Sequence, residues 1–322
     1  MELADLTTLR LGGPADSYVE VYEEAELTEQ ARDAALIMAG GSNVVIADAG
    51  VRGKVVRIAT RGVVRDGTRL TVAAGEDWDA LVARCVAEGL QGFECLSGIP
   101  GSVGATPIQN VGAYGQEVAE TVLSVRVLDR ATGRNEQMSA ADCGFVYRGS
   151  VFKYHDRRVV LSVTFNLRAS PQSGPLRYAE LTRTLDIPIG GTAPLADVRE
   201  AVLQLRRRKG MVIDPEDPDS VSAGSFFTNP ILRTVPAGAP AWPEPDGRTK
   251  TSAAWLIEQA GFHRGYGNGR AGISTKHTLA LVNRGGATTA ELMALAHEIA
   301  GRVEERFGIA LHPEPVLVGH SW

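Results

Sequence analysis

The chain has 322 residues, 44% hydrophobic and 22% charged, which is typical of a globular protein of about two domains. Its 33 basic and 38 acidic residues give a net charge of −5, so we expect no nucleic-acid partner. No run reaches the roughly 18 apolar residues of a membrane span, and no signal peptide is evident, so we expect a cytoplasmic protein that binds no membrane. We also expect a monomer, although nothing in the sequence determines the oligomeric state.

Hydrophobic periodicity predicts mostly strands in the first half of the chain. Asp77 is the predicted N-cap of a helix that ends at Gly89. Alternating or continuous apolar runs predict strands at residues 17–21, 34–38, 55–58, 70–75, 122–128, 135–138 and 159–167.

The second half has the stronger helical signals. Leu195, Val198, Val202 and Leu205 recur at helical spacing, and the basic run 206–209 before Gly210 suits the end of that helix. Further on we predict a helix at 252–259, a strand at 277–283 and a helix opened by a Thr288/Glu291 capping box and closed by Gly308. The class is mixed α and β, with the main domain boundary near residue 205.

Several familiar patterns carry no function here. Residues 267–272 match G-x-G-x-x-G, but no strand precedes them and a strand rather than a helix follows, which favours a glycine-rich surface loop. Three cysteines without CxxC spacing predict neither a disulfide framework nor a zinc site. The six histidines have no metal-ligand spacing, so we expect no metal.

Two glycine-rich segments could hold a ligand. Residues 40–43 lie between predicted strands, where backbone N–H groups can form an anion-binding nest, although a plain turn fits equally well. Residues 97–115 form an unusually long connection with few charges, whose backbone can wrap a flat cofactor. The candidate cofactor-binding residues are Gly40, Gly41, Ser42, Asn43, Gly98, Ile99, Pro100, Gly101, Gly104, Gln109, Asn110, Gly112, Ala113 and Tyr114.

Three single residues could carry chemistry. Arg148 lies among apolar residues, so we expect it to be partly buried against an anion, which a structural salt bridge would also provide. Ser225 lies between a glycine and two phenylalanines, where its hydroxyl could donate a proton or simply bond to a turn. Prolines on both sides of Glu314 direct its side chain, unless it is only a solvated carboxylate.

Together these motifs resemble the UDP-N-acetylenolpyruvoylglucosamine reductase family over nearly the whole chain. The resemblance rests on GGSN, GIPG, QNVGAYG, YRGS, GSFFTNP and PE, which begin at residues 40, 98, 109, 147, 224 and 313. It implies an α+β protein with a vanillyl-alcohol-oxidase-type FAD-binding fold in two subdomains, residues 1–62 and 63–205. An α+β substrate-binding domain, residues 206–322, would follow.

The resemblance also implies non-covalent FAD, NADPH as reductant and UDP-N-acetylglucosamine enolpyruvate as substrate, reduced to UDP-N-acetylmuramate for peptidoglycan synthesis. By similarity, Ser225 is the proton donor, and Arg148 and Glu314 are the other catalytic residues. The residues similar to substrate-binding positions are Tyr178, Arg206, Lys209 and Asn229, although helix termination explains Arg206 and Lys209 equally well. Two departures are Ala39, where many members have glycine, and Thr228, where some have lysine.

In the implied reaction, a hydride reaches C3 of the enolpyruvyl group. Arg148 then stabilises the enolate, a protonated Glu314 donates a hydrogen bond, and Ser225 protonates C2. One alternative is a flavin oxidase of the same fold, but the His or Cys that often binds FAD covalently is missing from residues 40–43 and 98–104. Another is a non-catalytic flavin- or nucleotide-binding paralogue, which would not need all three catalytic candidates.

Overall fold

The computed structural model describes residues 1–267 and 269–322. Its helices are α1 (Glu24–Gln30), α2 (Trp78–Ala87), α3 (Ala179–Thr184), α4 (Leu195–Arg208), α5 (Ala253–Gln259) and α6 (Thr289–Phe307). Its strands are β1 (Ala15–Val21), β2 (Ala34–Met38), β3 (Val44–Ile46), β4 (Val51–Ile58), β5 (Val63–Asp66), β6 (Arg69–Ala73), β7 (Leu90–Gln91), β8 (Gly112–Ala113), β9 (Gln116–Glu117), β10 (Val122–Asp129), β11 (Arg134–Ser139), β12 (Arg158–Asn166), β13 (Arg168–Ala169), β14 (Ser222–Ser225), β15 (Ile231–Leu232), β16 (Ala241–Pro243), β17 (Thr249–Thr251), β18 (Ala271–Ile273), β19 (Ala280–Asn283) and β20 (Val316–Val318).

The chain folds into two compact units, each built from separate segments. Unit A comprises Asp16–Gly40 and Arg52–Arg208, and unit B comprises Met1–Ala15, Gly41–Val51 and Lys209–Trp322. The predicted mixed α and β class is confirmed. The subdomain boundaries expected at residues 62 and 205 stay predictions.

Unit A contains a five-stranded antiparallel sheet of order β11-β10-β12-β6-β5 and a three-stranded sheet of order β1-β4-β2. Helix α2 begins where predicted, because the Asp77 carboxylate accepts a hydrogen bond from the Ala80 N–H at 2.8 Å. The buried ring of Phe93 packs edge to face against Trp78 of α2 and against Phe165 of β12, with ring centres 4.8 and 5.0 Å apart. This core supports the glycine-rich connection that follows α2.

Unit B contains the sheets β14-β19-β18 and β15-β17-β16 and a parallel pair of β3 with β20. Helix α6 has the predicted capping box of Thr288 and Glu291, and it ends at Gly308, whose φ of +65° suits glycine. Its apolar face is buried with α5 in one hydrophobic core. Within residues 1–267 and 269–322, no helix has the length and apolar character that a membrane crossing needs.

The structure differs from the sequence prediction at several strands of unit B. The strand predicted at 277–283 begins only at Ala280, because Ser274 accepts N–H bonds from Lys276 and His277 and holds a turn there. Strand β3 is absent from the prediction. It has three residues, and its partner β20 lies near the other end of the chain, so no local pattern marks it.

Candidate active site

Ser225 ends strand β14 in unit B. The preceding Gly224 has φ +73°, a conformation that glycine adopts without strain. The next two residues, Phe226 and Phe227, are each only 1% exposed, and their rings pack 5.1 Å apart. Ser225 is itself half-buried and directly precedes these two rings, which we call the apolar wall.

The structure brings the segment of Glu314 alongside that of Ser225. The Glu314 N–H donates to the Phe226 carbonyl at 2.8 Å, and the Thr228 N–H donates to the His312 carbonyl at 3.0 Å. These bonds form a short antiparallel ladder around the bridge of Phe227 with Pro313, with Glu314 one residue and Ser225 two residues from that bridge. The segments of the two catalytic candidates of unit B, which are 89 positions apart in the sequence, are thus hydrogen-bonded to each other.

Asn43 joins the same ladder from the first glycine-rich segment. Its backbone carbonyl accepts the Val316 N–H at 3.0 Å, and its side-chain amide lies 3.5 Å from the Glu314 carbonyl. The half-buried Ser42 precedes it, and Gly41 has φ +61°. A Cβ at Gly41 would overlap the backbone of Leu6, so only glycine fits at this crossing.

Gly40 belongs to unit A, where it meets the second glycine-rich segment. A Cβ on Gly40 would lie 2.8 Å from the Cα of Gly101, so the two backbones can approach this closely only because residue 40 is glycine. Gly104 packs in the same way against Ala74. The segment runs between two 3-10 turns, Glu94–Leu96 and Val103–Ala105, and it includes the predicted residues Gly98, Ile99, Pro100 and Gly101.

Asp79, on α2, fixes the start of this segment. Its carboxylate accepts the Gly98 N–H at 2.6 Å and is paired by both terminal nitrogens of Arg199, at 2.6 and 2.9 Å. Burial acts to raise the pKa of Asp79, but the hydrogen bonds from Arg199 and Gly98 outweigh it and lower the pKa overall. The charged carboxylate is therefore the form that holds the loop.

Asp79→Asn is expected to destabilise the fold at neutral pH by about 1 kcal/mol, a value reduced for partial solvent exposure. Because the folded pKa is lowered, this stabilisation is present above the ordinary carboxyl pKa and is lost as the pH falls through the folded value. Urea unfolding from pH 7 down to pH 3 measures the difference from wild type, which should shrink below about pH 4. The exposed Asp66→Asn is the control, and a difference that does not depend on pH would contradict the prediction.

Ser102 is a further candidate for the site, and it is absent from the set predicted from the sequence. It follows Gly101 and is 6% exposed, and its buried hydroxyl has no hydrogen-bond partner among residues 1–267 and 269–322. A buried hydroxyl without a partner is costly unless a ligand supplies one. Ser102 directly follows the GIPG motif in the sequence, but only its burial in the folded chain distinguishes it from an ordinary turn serine.

Asn110 has a structural task. Its amide nitrogen donates to Glu117 at 2.8 Å and to the Val146 carbonyl at 3.1 Å, and its oxygen accepts the Ala119 N–H at 3.1 Å. The side chain is only 1% exposed and ties two loops together. Its neighbours in the predicted set lie around β8, namely Gln109, Gly112, Ala113 and Tyr114, and their contact with a cofactor stays a prediction.

Arg148 occupies a tight turn in unit A. Its Nη2 donates to the Gly112 carbonyl at 2.7 Å, and its guanidinium carbon lies 5.1 Å from the centre of the Tyr147 ring. The half-buried side chain is thus held against β8. That Arg148 meets Ser225 and Glu314 around one substrate stays a prediction.

Tyr178, Tyr114 and Arg206 form a group in unit A. The rings of the two tyrosines are 5.3 Å apart and perpendicular, and Tyr178 is 42% exposed. Burial lowers the pKa of Arg206 and raises that of Tyr114, while the charge of Arg206 opposes the rise. Arg206 is only 8% exposed, so helix termination alone does not explain it, whereas Arg207 and Arg208 are exposed as that explanation requires.

The remaining substrate candidates lie in unit B. Asn229 accepts the Ala253 N–H at 2.9 Å through its side-chain oxygen and so helps to cap α5. Lys209 is half-buried and follows the end of α4. A substrate contact for either residue stays a prediction.

Unit A also has a cavity of about 340 Å³, within the range of small-molecule sites. Its lining includes Tyr114, Gly115 and Arg177, the last of which precedes Tyr178. Tyr114 therefore lines this cavity, and Tyr178 directly follows a lining residue in the sequence.

Two further sequence predictions concern a metal site and the G-x-G-x-x-G match. Across residues 1–267 and 269–322, no group of three or more His, Cys, Asp or Glu side chains is arranged to hold a metal. The G-x-G-x-x-G match at 267–272 includes Asn268, which lies outside the described residues, and strand β18 begins within the match, at Ala271.

The three cysteine thiols are buried and free. Burial raises the pKa of Cys85 to about 12 and that of Cys143 to about 11, and it also raises that of Cys95. Since the thiolate is the reactive form, these cysteines are poor candidates for a covalent bond to a cofactor.

Comparison with known proteins gives independent information on the family. A family model described as "UDP-N-acetylenolpyruvoylglucosamine reductase, C-terminal domain" matches residues 215–318, and one described as "FAD binding domain" matches residues 15–139. The UDP-N-acetylenolpyruvoylglucosamine reductase of Thermobifida fusca is 55% identical over 98% of this chain and 96% of its own. The chain belongs to the UDP-N-acetylenolpyruvoylglucosamine reductase family.

Other members of the reductase family agree with this assignment. The protein of the same name from Saccharopolyspora erythraea is 55% identical over 98% of this chain and 94% of its own. The crystal structure of UDP-N-acetylenolpyruvylglucosamine reductase from Thermus caldophilus is similar with a TM-score of 0.71 at 27% identity, covering 99% of this chain and 97% of that one. The family resemblance and its FAD-binding fold are confirmed, and neither the oxidase nor the non-catalytic paralogue is favoured.

Proposed function

We propose that this chain is an FAD-dependent oxidoreductase that uses NADPH to reduce UDP-N-acetylglucosamine enolpyruvate to UDP-N-acetylmuramate, a peptidoglycan precursor. The observation that supports the proposal most is the backbone ladder of unit B, which joins the segments of Ser225 and Glu314 in a chain 55% identical to a named reductase.

The residues of the glycine-rich segments fit FAD. Gly40 approaches Gly101 too closely to carry a side chain, and backbone N–H groups in such glycine-rich turns suit a pyrophosphate. The unpaired, buried hydroxyl of Ser102 adds a donor at the same place. When bound, FAD supplies hydride transfer between NADPH and the substrate.

The chain's own residues then control charge and protons on the substrate. As C3 of the enolpyruvyl group gains a hydride, negative charge spreads from C2 into the carboxylate. The guanidinium of Arg148 can stabilise this charge by donating two parallel hydrogen bonds to the carboxylate oxygens. Ser225 donates a proton to C2 from one face, which fixes the configuration of the new centre. Glu314, in its protonated form, donates a hydrogen bond to the same developing charge.

Recognition of the sugar nucleotide falls to a second set of residues. Its diphosphate requires cationic or amide donors, which Arg206, Lys209 and Asn229 provide, and Tyr178 offers a partly exposed ring for the uridine. Because Arg206 is only 8% exposed, water screens its charge less than it screens the charges of exposed residues.

We also propose that the chain works as a monomer in the cytoplasm, where NADPH and sugar nucleotides are made, and that its product supports cell shape and division. The net charge of −5 and the three free cysteines are compatible with that compartment.

NADPH consumption by the purified, FAD-loaded protein tests the proposed reaction. Absorbance at the NADPH band should fall rapidly only when UDP-N-acetylglucosamine enolpyruvate is present, with one UDP-N-acetylmuramate formed per NADPH. A colourless protein, or equal consumption with and without the sugar nucleotide under anaerobic conditions, would contradict the proposal.

A further inference from the structure

Lys153 is a buried cation for which the proposed reaction has no use. It is only 8% exposed, and its ammonium donates to the backbone carbonyl of Arg148 at 3.1 Å. Its Nζ also lies 5.1 Å from the centre of the Tyr154 ring. Burying a charged ammonium costs free energy unless hydrogen bonds compensate it, and the bond to the Arg148 carbonyl is one such compensating bond.

The turn around Arg148 is conformationally unusual. Val146 and Gly149 exchange backbone hydrogen bonds at 3.0 and 3.1 Å, which leaves Tyr147 and Arg148 as the two central residues. Arg148 has φ +53°, a conformation that the second central position of such turns normally reserves for glycine or asparagine. An arginine held there needs support from outside the turn.

We propose that Lys153 is a positioning residue for Arg148. The charge-assisted bond from Lys153 fixes the carbonyl that follows the unusual φ angle, and it thereby sets the direction in which the guanidinium leaves the turn. This inference rests on the proposed role of Arg148 in the reduction.

Other bonds hold the turn in place without Lys153. The Ser150 hydroxyl donates to the Ile108 carbonyl at 2.7 Å, and the Asn110 amide donates to the Val146 carbonyl at 3.1 Å. Loss of Lys153 is therefore expected to change the aim of Arg148 while the loop stays attached.

Lys153→Met in the FAD-loaded enzyme tests the proposal, because methionine keeps the length of the side chain without its charge. Reduction of the flavin by NADPH should stay within about twofold of wild type, while its reoxidation by the enolpyruvyl substrate should slow by about 10–100-fold, as small misplacements of a catalytic group do. Lys54→Met is the matched control, since Lys54 is also partly buried in unit A, 2.5 Å from Asp33, and should have the wild-type rate. A wild-type reoxidation rate in Lys153→Met would overturn the proposal.

A double-mutant cycle distinguishes action through Arg148 from any other role. If Lys153 acts through Arg148, Lys153→Met should slow reoxidation no further in the Arg148→Ala enzyme. A further loss of the same size in the double variant would overturn the proposal while leaving the proposed function intact. A wild-type rate in Arg148→Ala alone would instead show that the proposed role of Arg148 has failed.

Lys153→Arg covers the case in which Lys153→Met does not fold. Arginine keeps a buried cation but places its donors differently, so the same selective slowing of reoxidation is expected. Equal rates of both half-reactions in Lys153→Arg and wild type would count against a positioning role.

Discussion

Ser225→Ala is expected to leave reduction of bound FAD by NADPH intact and to slow reoxidation by the enolpyruvyl sugar nucleotide by about 10²–10⁴-fold. The variant lacks the hydroxyl that is proposed to protonate C2, while the glycine-rich segments that fit FAD are unchanged. The apolar wall of Phe226 and Phe227 beside it limits replacement of that proton by bulk water.

Stopped-flow absorbance of the flavin measures the two half-reactions separately. Ser222→Ala is the control, because it removes a hydroxyl from the same strand, one that accepts the nearby Gly224 N–H at 3.2 Å. That control should retain the wild-type reoxidation rate. Equal reoxidation rates in Ser225→Ala and wild type would rule out Ser225 as the proton donor.

Gly41→Ala should have the largest effect on the holoenzyme, with a loss of about 3 kcal/mol or more in the free energy of unfolding and little bound FAD. The positive φ alone costs roughly 1–2 kcal/mol for an L-residue. The overlap of the new Cβ with the Leu6 backbone adds a packing penalty of about 1–3 kcal/mol, since backbone cannot move aside as a side chain can.

The matched control separates these two costs. Gly67→Ala has nearly the same φ, +59°, in the turn between β5 and β6, but its Cβ would meet no atom within 4 Å. Chemical unfolding and the flavin absorbance of the purified variants give both readouts. If Gly67→Ala and Gly41→Ala lost equal stability and equal FAD, the close crossing of the GGSN segment would not matter to the site.

The sequence predicts the elements whose signals are local. Asp77 and Thr288 act as helix caps because capping involves residues within one turn, and the apolar face of α4 follows from its 3.6-residue period. Strand β3 could not be predicted in this way. Its pairing with β20 joins residues more than 270 positions apart, and such pairings leave no periodic trace.

In the candidate site, too, the sequence predicts local features but not those that depend on distant parts of the chain. The glycine-rich segments and the positions of Ser225, Arg148 and Glu314 were identified from motifs, but not the surroundings that give each residue its role. Ser102 and Lys153 lie within or beside those motifs, and only their burial marks them as functional candidates. Burial depends on the whole fold, so it cannot be predicted from a short sequence window.

A crystal structure of the FAD-loaded chain with UDP-N-acetylglucosamine enolpyruvate would test the central claim most directly. We predict that the Ser225 hydroxyl, the Arg148 guanidinium and the Glu314 carboxyl all lie within about 4 Å of the enolpyruvyl group, the range of direct polar and packing contacts. A complex in which any of these three groups lies in a different cavity from the enolpyruvyl carbons would contradict this account.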